Sequence, residues 1–264
     1  MNRGCSAFAA LALIACRSPG LAPIAEAQAN ELTADAGPTA APMGAALVEL
    51  FTSEGCSSCP PADAVLADLA RTNPSVYALA FHVDYWNELG WPDRFSSPEF
   101  TARQRAYAAA FGGQGMFTPQ MIVNGQEEFT GSDRARADKS IARALAHSPT
   151  VPLSIRARAT EASTVVVDYQ APHAAADAII GVAVVERSAV TAVLRGENEG
   201  RTLRHANVVR AFVAAHVQTS GSTILHVPGT LRRDNGEVIA CVQRPSTGET
   251  PGLPVLGCAR ASLP

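Results

Sequence analysis

The pattern of hydrophobic and polar positions changes near residue 150, and before that point it alternates between strand and helix periodicities. Residues 47–52 predict a short strand, and the nearly continuous apolar run 76–83 predicts a central strand covered on both faces. Between these runs, apolar residues recur at the spacing of one helix face: Ala62, Val65, Leu66, Leu69 and Ala70.

The same part of the chain predicts two more helices and a hairpin. A second helix covers residues 98–111 and is stopped by two glycines. Asn124-Gly125 is a hairpin turn signal between two short strands, and a last helix covers residues 133–146. The predicted order over residues 45–148 is therefore β-α-β-α-β-β-α, an α/β domain.

Beyond residue 150 the apolar positions form short β-rich runs, punctuated by glycine, proline and asparagine. The runs are 151–155, 163–169, 178–186, 208–216, 223–227 and 238–242. This pattern is typical of antiparallel β structure. It predicts that the α/β domain is followed by a smaller, β-rich and sandwich-like domain over residues 150–264.

The first 29 residues have the features of a signal peptide. Arg3 precedes a short apolar segment that runs from Cys5 to Cys16. An A-x-A site at residues 27–29 predicts cleavage and soluble export. The alternative is a lipobox at residues 13–16, which would leave a lipid anchor on Cys16.

Both processing routes place the protein in the periplasm or outside the cell, as a secreted protein or a lipoprotein. Residues 30–44 are rich in proline, alanine and glycine, so we expect a disordered linker there.

Composition and charge exclude several classes of partner. Hydrophobic residues make up 47% of the chain, which rules out wholesale disorder. The formal net charge is −3, so we expect no nucleic-acid partner. The longest apolar run, residues 7–15, is shorter than the roughly 20 residues that a membrane-spanning helix needs, so no membrane span is predicted.

Four cysteines remain after the leader, at positions 56, 59, 241 and 258. An even number in an exported chain indicates disulfides formed in an oxidising compartment. Sequence distance favours pairing Cys56 with Cys59 and Cys241 with Cys258, although four cysteines allow three connectivities. The second pair would be a structural disulfide.

The C-x-x-C pair lies where the first strand leads into the first helix. The positive end of the helix dipole stabilises a thiolate, so Cys56 is the candidate nucleophile. Cys59, one turn further on, would resolve a mixed disulfide from inside. Two alternatives stay open: a static structural disulfide, and a two-thiolate copper(I) site helped by His82. A classical zinc site needs four ligands, and the sequence shows no spacing that supplies them.

The strand, C-x-x-C and helix, with a later Thr-Pro strand, resemble the thioredoxin superfamily. More narrowly, the chain resembles the secreted bacterial family called domain of unknown function 1223. The motifs that carry this resemblance are ELFTSEGCSSCPP at 49–61, HVDYW at 82–86, FTPQ at 117–120 and RGEN at 195–198. The resemblance covers nearly all of the mature chain and implies a thioredoxin-like fold, but not an established reaction.

In such a fold the Thr118-Pro119 peptide is expected to be cis, with the Thr118 backbone free to pair with a substrate strand beside the disulfide. Thioredoxin carries a buried aspartate six residues before its first cysteine, where this chain has Leu50. Glu49, one step away, is the candidate proton shuttle, although a shift of one residue reverses the face of a strand.

Two loops are further candidates. Tyr85 and Trp86 follow a strand end, where they either pack or form a lip that binds a partner. The loop 195–201 is either a solvated hairpin or a segment whose Arg195 and Arg201 dock an anion or the first domain.

The sequence thus predicts an exported thiol–disulfide oxidoreductase that acts on protein or small thiols. It needs no dissociable cofactor, only a redox partner protein. The alternative is a non-catalytic module that binds copper(I) or a partner protein and keeps a structural disulfide.

Overall fold

The computed structural model describes residues 44–113, 115–161, 163–246 and 251–263. The predicted signal peptide, the lipid anchor at Cys16 and nearly all of the predicted linker lie outside the described residues. Within the described ranges, no helix is both long and apolar enough to cross a membrane.

The first part of the chain contains four strands and three α-helices in the predicted order. They are β1 (Ala46–Thr52), α1 (Pro60–Thr72), β2 (Val76–His82), α2 (Pro98–Ala110), β3 (Gln120–Val123), β4 (Glu127–Thr130) and α3 (Arg134–Leu145), with a 3-10 helix at Asn87–Leu89. Asn124 and Gly125 both have positive φ, at 48° and 64°, as the predicted hairpin turn requires. Local periodicity therefore predicted these elements to within a few residues.

Seven strands follow among the described residues. They are β5 (Ser154–Glu161), β6 (Thr164–Gln170), β7 (Ile179–Ala192), β8 (Thr202–His216), β9 (Ser220–His226), β10 (Gly236–Gln243) and β11 (Val255–Ser262). The prediction of a β-rich second part is confirmed.

The strands form a large mixed sheet and a small antiparallel one. The large sheet has the order β11-β10-β7-β8-β2-β1-β3-β4, and the small sheet has the order β5-β6-β9. β1 and β2 are parallel, whereas β3 is antiparallel to both β1 and β4. The fold is therefore mixed α/β, with few helices.

The two parts of the chain meet where β2 lies beside β8. Ala80 pairs with Val208 in parallel, and the side-chain amide of Asn207 donates to the Ala78 carbonyl at 3.1 Å. Four strands of the second part thus extend the sheet of the first. The predicted sandwich layout is not confirmed, and a domain boundary near residue 150 stays a prediction.

Alternation along β1 places the helices on opposite faces of the large sheet. Val48 and Leu50 pack in the cluster that contains α1 and α3, whereas Leu47 and Phe51 pack with α2. The small sheet covers β7 and β10 through a separate apolar cluster that includes Val167.

Both disulfides that sequence distance favoured are present, so the predicted pairing is confirmed. Cys241 and Cys258 are directly paired residues of β10 and β11, and both are buried.

β7 and β8 are longer than their apolar runs predicted, with 14 and 15 residues. The apolar signal fades where these strands become more exposed, for example at Arg187 and Ser188. The segment between them, residues 193–201, is called the β7–β8 loop below. It reaches the start of α1 and so takes part in the candidate site.

Candidate functional site

The Cys56–Cys59 disulfide closes the first turn before α1. Cys59 is the N-cap residue, its N–H donates to the Cys56 carbonyl at 3.2 Å, and its own carbonyl accepts the Asp63 N–H at 3.1 Å. Both cysteines are fully buried, whereas Ser57 and Ser58 between them are exposed. The predicted strand–helix placement of the pair is confirmed, and in this oxidised state neither cysteine is on the surface.

The β7–β8 loop holds the disulfide segment from outside the first part of the chain. The fully buried Asn198 donates from Nδ2 to the carbonyls of Glu54 at 2.9 Å and Cys56 at 3.0 Å. The carboxylate of Glu197 accepts the Ser57 N–H at 3.0 Å.

This loop therefore docks on the first part of the chain, as one of the two sequence interpretations held. It does so through Glu197 and Asn198 of the RGEN motif, whereas the sequence suggested Arg195 and Arg201 for this role. Arg201 contributes indirectly, because it donates to Asn198 Oδ1 at 2.7 Å and so orients the Asn198 side chain.

Trp86 connects the disulfide segment to the start of β3. Its Nε1 donates to Thr118 Oγ1 at 2.9 Å, and the Thr118-Pro119 peptide is cis, as predicted. Trp86 also packs on Gly55, where an added Cβ would lie 3.2 Å from the Trp86 Cβ. A larger residue at position 55 would therefore push Trp86 away from the disulfide.

Exposed apolar side chains border this region. Gln104, fully buried, links two of them, because it accepts from the Tyr85 hydroxyl at 3.3 Å and donates to the Phe117 carbonyl at 2.8 Å. Tyr85 and Phe117 are 38% and 40% exposed, which for large apolar residues indicates a surface available to a partner. Tyr85 is thus on the surface and Trp86 is partly buried, and a lip that binds a partner stays a prediction.

Five buried titratable side chains gather beside the first turn of α1, and only His82 among them was a candidate from the sequence. His82 Nδ1 lies 2.6 Å from Asp93 Oδ2. His205 Nε2 lies 3.4 Å from Glu54 Oε1, and its Nδ1 lies 3.8 Å from Asp63 Oδ2. The two imidazole rings meet edge to face with centroids 4.9 Å apart. These residues are called the buried charge cluster below.

The buried charge cluster is held together by backbone and side-chain donors. Asp93 accepts the N–H groups of Glu54 at 2.8 Å and Phe95 at 2.9 Å. Asp63 accepts from the Thr52 hydroxyl at 2.9 Å.

Within the described residues, several buried atoms of the cluster have no hydrogen-bond partner: Glu54 Oε1, His82 Nε2 and both ring nitrogens of His205. No three His, Cys, Asp or Glu side chains of the described residues form a group that could hold a metal ion.

Burial and mutual charge shift the acidities of the buried charge cluster in different directions. Burial alone would lower the pKa of His82, but the neighbouring Asp93 carboxylate raises it above its usual value. Burial would raise the pKa of Asp93, but the charge and hydrogen bond of His82 hold it below its usual range. Burial raises the pKa of Asp63. These shifts favour the charged forms of His82 and Asp93, and they make Asp63 a carboxyl group that binds a proton more readily than usual.

Glu49 lies on the other face of β1. Its carboxylate is bound by Arg103 Nε at 2.6 Å and by the Tyr107 hydroxyl, both from α2. Gln243 completes the network by donating to Tyr107 at 2.9 Å. Thr52, three residues along the strand, instead bonds Asp63 of α1. The geometry therefore separates Glu49 from the buried charge cluster by the thickness of the sheet.

A family model described as protein of unknown function (DUF1223) matches residues 47–243. The chain belongs to this family.

The DUF1223 match contains the C-x-x-C pair, the buried charge cluster, the cis peptide and the β7–β8 loop, and among the disulfide cysteines it leaves out Cys258. The chain is also similar to the crystal structure of a protein from Agrobacterium tumefaciens, with 28% sequence identity and a TM-score of 0.61. That similarity covers 84% of this chain and 95% of the other. Among curated proteins, no match was found.

Proposed function

We propose that this DUF1223 protein is a thiol–disulfide oxidoreductase built on a thioredoxin-type domain. The observation that carries the proposal is the Cys56–Cys59 disulfide at the first turn of α1, reached from the carboxyl end of β1. The order β2-β1-β3-β4, with β1 and β2 parallel and helices on both faces, supports the thioredoxin-type assignment.

In the proposed reaction, Cys56 is the group that exchanges with the partner. A partner thiolate attacks Cys56 Sγ, forms a mixed disulfide and releases Cys59 as a thiolate that takes up a proton. The partner's second thiolate then attacks the partner sulfur that is bonded to Cys56. This step releases Cys56 as a thiolate and leaves the partner with a disulfide. The reverse sequence reduces a partner disulfide and restores the Cys56–Cys59 bond, so only a dithiol or disulfide partner is needed.

The partner would dock beside the disulfide, along Thr118 and Pro119. Trp86 already ties Thr118 to the disulfide segment. The exposed Tyr85 and Phe117 supply apolar surface on the same side, which suits a peptide segment of a protein thiol substrate.

In this mechanism the Cys59 thiolate takes its proton from the buried charge cluster. Asp63 is four residues after Cys59, and residues i and i+4 lie on the same face of a helix. Asp63 can therefore give a proton to the Cys59 thiolate and recover it through His205. Glu49, the residue that the sequence suggested for this role, stays a prediction, and its position on the α2 face favours Asp63 instead.

Replacing Asp63 with asparagine tests this assignment. We expect the rate of exchange with a dithiol to lose one ionisation from its pH profile and to fall by about tenfold at neutral pH, because general acid–base groups contribute at least this much. The matched control is Glu49→Gln, a buried carboxylate on the opposite face, which should keep the wild-type profile. Equal changes in both variants would assign the effect to protein stability and not to proton exchange.

Thiol redox buffers give the direct test of the function. Alkylated cysteines are counted by mass after equilibration at a series of potentials. We expect Cys56 and Cys59 to change state together between about −120 and −270 mV, the range of known exchangers. Cys241 and Cys258 provide an internal control, because a structural disulfide stays closed to below about −300 mV. If both pairs stay closed to that limit, the function is not redox exchange.

The proposed site of action is an oxidising compartment outside the cytoplasm. Two disulfides among the described residues fit such a compartment. Export to the periplasm, secretion and the lipid anchor at Cys16 remain proposals from the sequence. The alternative of a copper(I)-binding or partner-binding module also stays a prediction.

A further inference from the structure

The β7–β8 loop places a carboxylate on the turn that carries Cys56. Glu197 accepts the backbone N–H of Ser57, the residue next to Cys56, at 3.0 Å. That N–H belongs to the turn that leads into α1, where the positive end of the helix stabilises negative charge. A carboxylate already occupies this position in the oxidised protein.

The position of Glu197 is fixed by its neighbour. Asn198 is fully buried and bonds the carbonyls on both sides of Gly55, those of Glu54 and Cys56. An exposed ion pair or hydrogen bond normally contributes little, because two mobile side chains must be ordered to form it. Here the buried Asn198 anchors the loop, so the Glu197 carboxylate is held beside the disulfide segment.

Glu197 is ionised at neutral pH. The hydroxyl and the backbone N–H of Ser57 both hold the pKa of this carboxyl below its usual value. Arg201 of the same loop bonds the Asn198 side chain. Glu54, the other acidic residue next to the disulfide, is buried and bonds Trp91 on the inner side.

We infer that Glu197 acts as a fixed negative charge that disfavours the Cys56 thiolate and so favours the Cys56–Cys59 disulfide. The reduced protein is therefore a better electron donor. Reduction creates a thiolate at Cys56, whereas oxidation removes it. A negative charge held beside Cys56 therefore raises the free energy of the reduced state alone. This inference rests on the proposed exchange function and assigns Glu197 as the residue that biases its direction.

The contact connects the RGEN motif to the disulfide segment 140 residues earlier in the chain. Asn198 positions the loop and Glu197 supplies the charge. Gly196 has a φ of 81° and packs against Trp91, where an added Cβ would lie 3.1 Å from the Trp91 Cβ. A glycine is thus required for the loop to reach the disulfide segment.

The test is the equilibrium in which oxidised protein and two glutathione molecules form reduced protein and glutathione disulfide. Glu197→Gln keeps an oxygen that accepts the Ser57 N–H but removes the charge. We expect the equilibrium constant to move about threefold toward the reduced protein, a rise in potential of about 14 mV. The pKa of the Cys56 thiol, followed by thiolate absorbance, should fall in the same variant.

Glu199→Gln is the matched control, because it removes the same charge from an exposed position in the same loop. Its equilibrium constant should move less than half as far on a logarithmic scale. Glu197→Lys should move it about twice as far as Glu197→Gln. In the wild-type protein, added salt should also shift the equilibrium toward the reduced state, because screening weakens the repulsion.

The outcomes separate this inference from the proposed function. If the wild-type disulfide does not exchange with glutathione at all, the proposed function fails, and the inference fails with it. If exchange is reversible but Glu197→Gln shifts the equilibrium no further than Glu199→Gln, or toward the oxidised state, the function stands and the role of Glu197 is overturned.

Discussion

Replacing Cys56 with serine is expected to abolish disulfide exchange, and replacing Cys59 with serine should trap a mixed disulfide between Cys56 and its partner. The two variants differ because the Cys56 thiolate attacks the partner disulfide and forms the mixed disulfide, whereas Cys59 is needed only to release the partner again. Turnover of a model disulfide should fall to the rate of the uncatalysed reaction in both. Non-reducing electrophoresis and mass spectrometry should find the covalent adduct in Cys59→Ser only.

The control for these variants is the double substitution Cys241→Ala and Cys258→Ala. This pair lies in β10 and β11, far along the sheet order from β1, so exchange at Cys56 should persist in the folded protein. Wild-type turnover in both Cys56→Ser and Cys59→Ser would exclude the mechanism. It would leave the Cys56–Cys59 bond with a structural role.

The parts of the site that could be predicted from sequence are local ones. The C-x-x-C pair, its helix and the Thr118-Pro119 step each depend on residues close together in the chain. For the same reason, disulfide pairing by sequence distance was correct: each pair lies within 17 residues. A position that requires only its neighbours leaves a pattern that a single sequence can show.

The buried charge cluster and the β7–β8 loop contact could not be predicted in this way. The cluster gathers residues from position 54 to position 205, and Ser57 bonds Glu197 across 140 positions. A buried Asp or His resembles an exposed one in sequence, because the partner that makes burial tolerable is distant. Of these residues, His82 and the RGEN motif with Glu197 and Asn198 gave a signal, but neither signal showed which residues they contact.

The sheet arrangement was missed for a related reason. Strands of the small sheet, such as β6, and strands that extend the large sheet, such as β10, both contain short apolar runs. Periodicity predicts that a strand has a buried face but not which sheet it joins. The join itself depends on Asn207 and a parallel pairing of Val208 with Ala80, neither of which has a local signature.

The largest stability effect is expected from breaking the buried His82–Asp93 pair. Asp93→Ala removes the partner of His82 and the acceptor of two backbone N–H groups, those of Glu54 and Phe95. Removing one member of a buried pair leaves the other charge without compensation, which costs about 3–5 kcal/mol. The free energy of unfolding from urea titration should fall by this amount. Asp68→Ala, which breaks an exposed pair with Arg71 and Arg134, is the control and should change it far less.

The pH dependence of that difference follows from the two pKa shifts. Asp93 has a lowered pKa in the folded protein. Its contribution to the free energy of unfolding is therefore present above the pKa of the unfolded state, about 3.8–3.9, and is lost as the pH falls through the pKa of the folded state. His82 has a raised pKa in the folded protein. Its contribution to the free energy of unfolding is therefore complete below about pH 6.5 and is lost as the pH rises through the pKa of the folded state. The difference between wild type and Asp93→Ala should therefore be largest between about pH 4 and 6.5 and should decrease on both sides. A difference that is constant from pH 4 to 9 would show that the pair is not ionised, and that the cost of Asp93→Ala comes from the lost backbone hydrogen bonds.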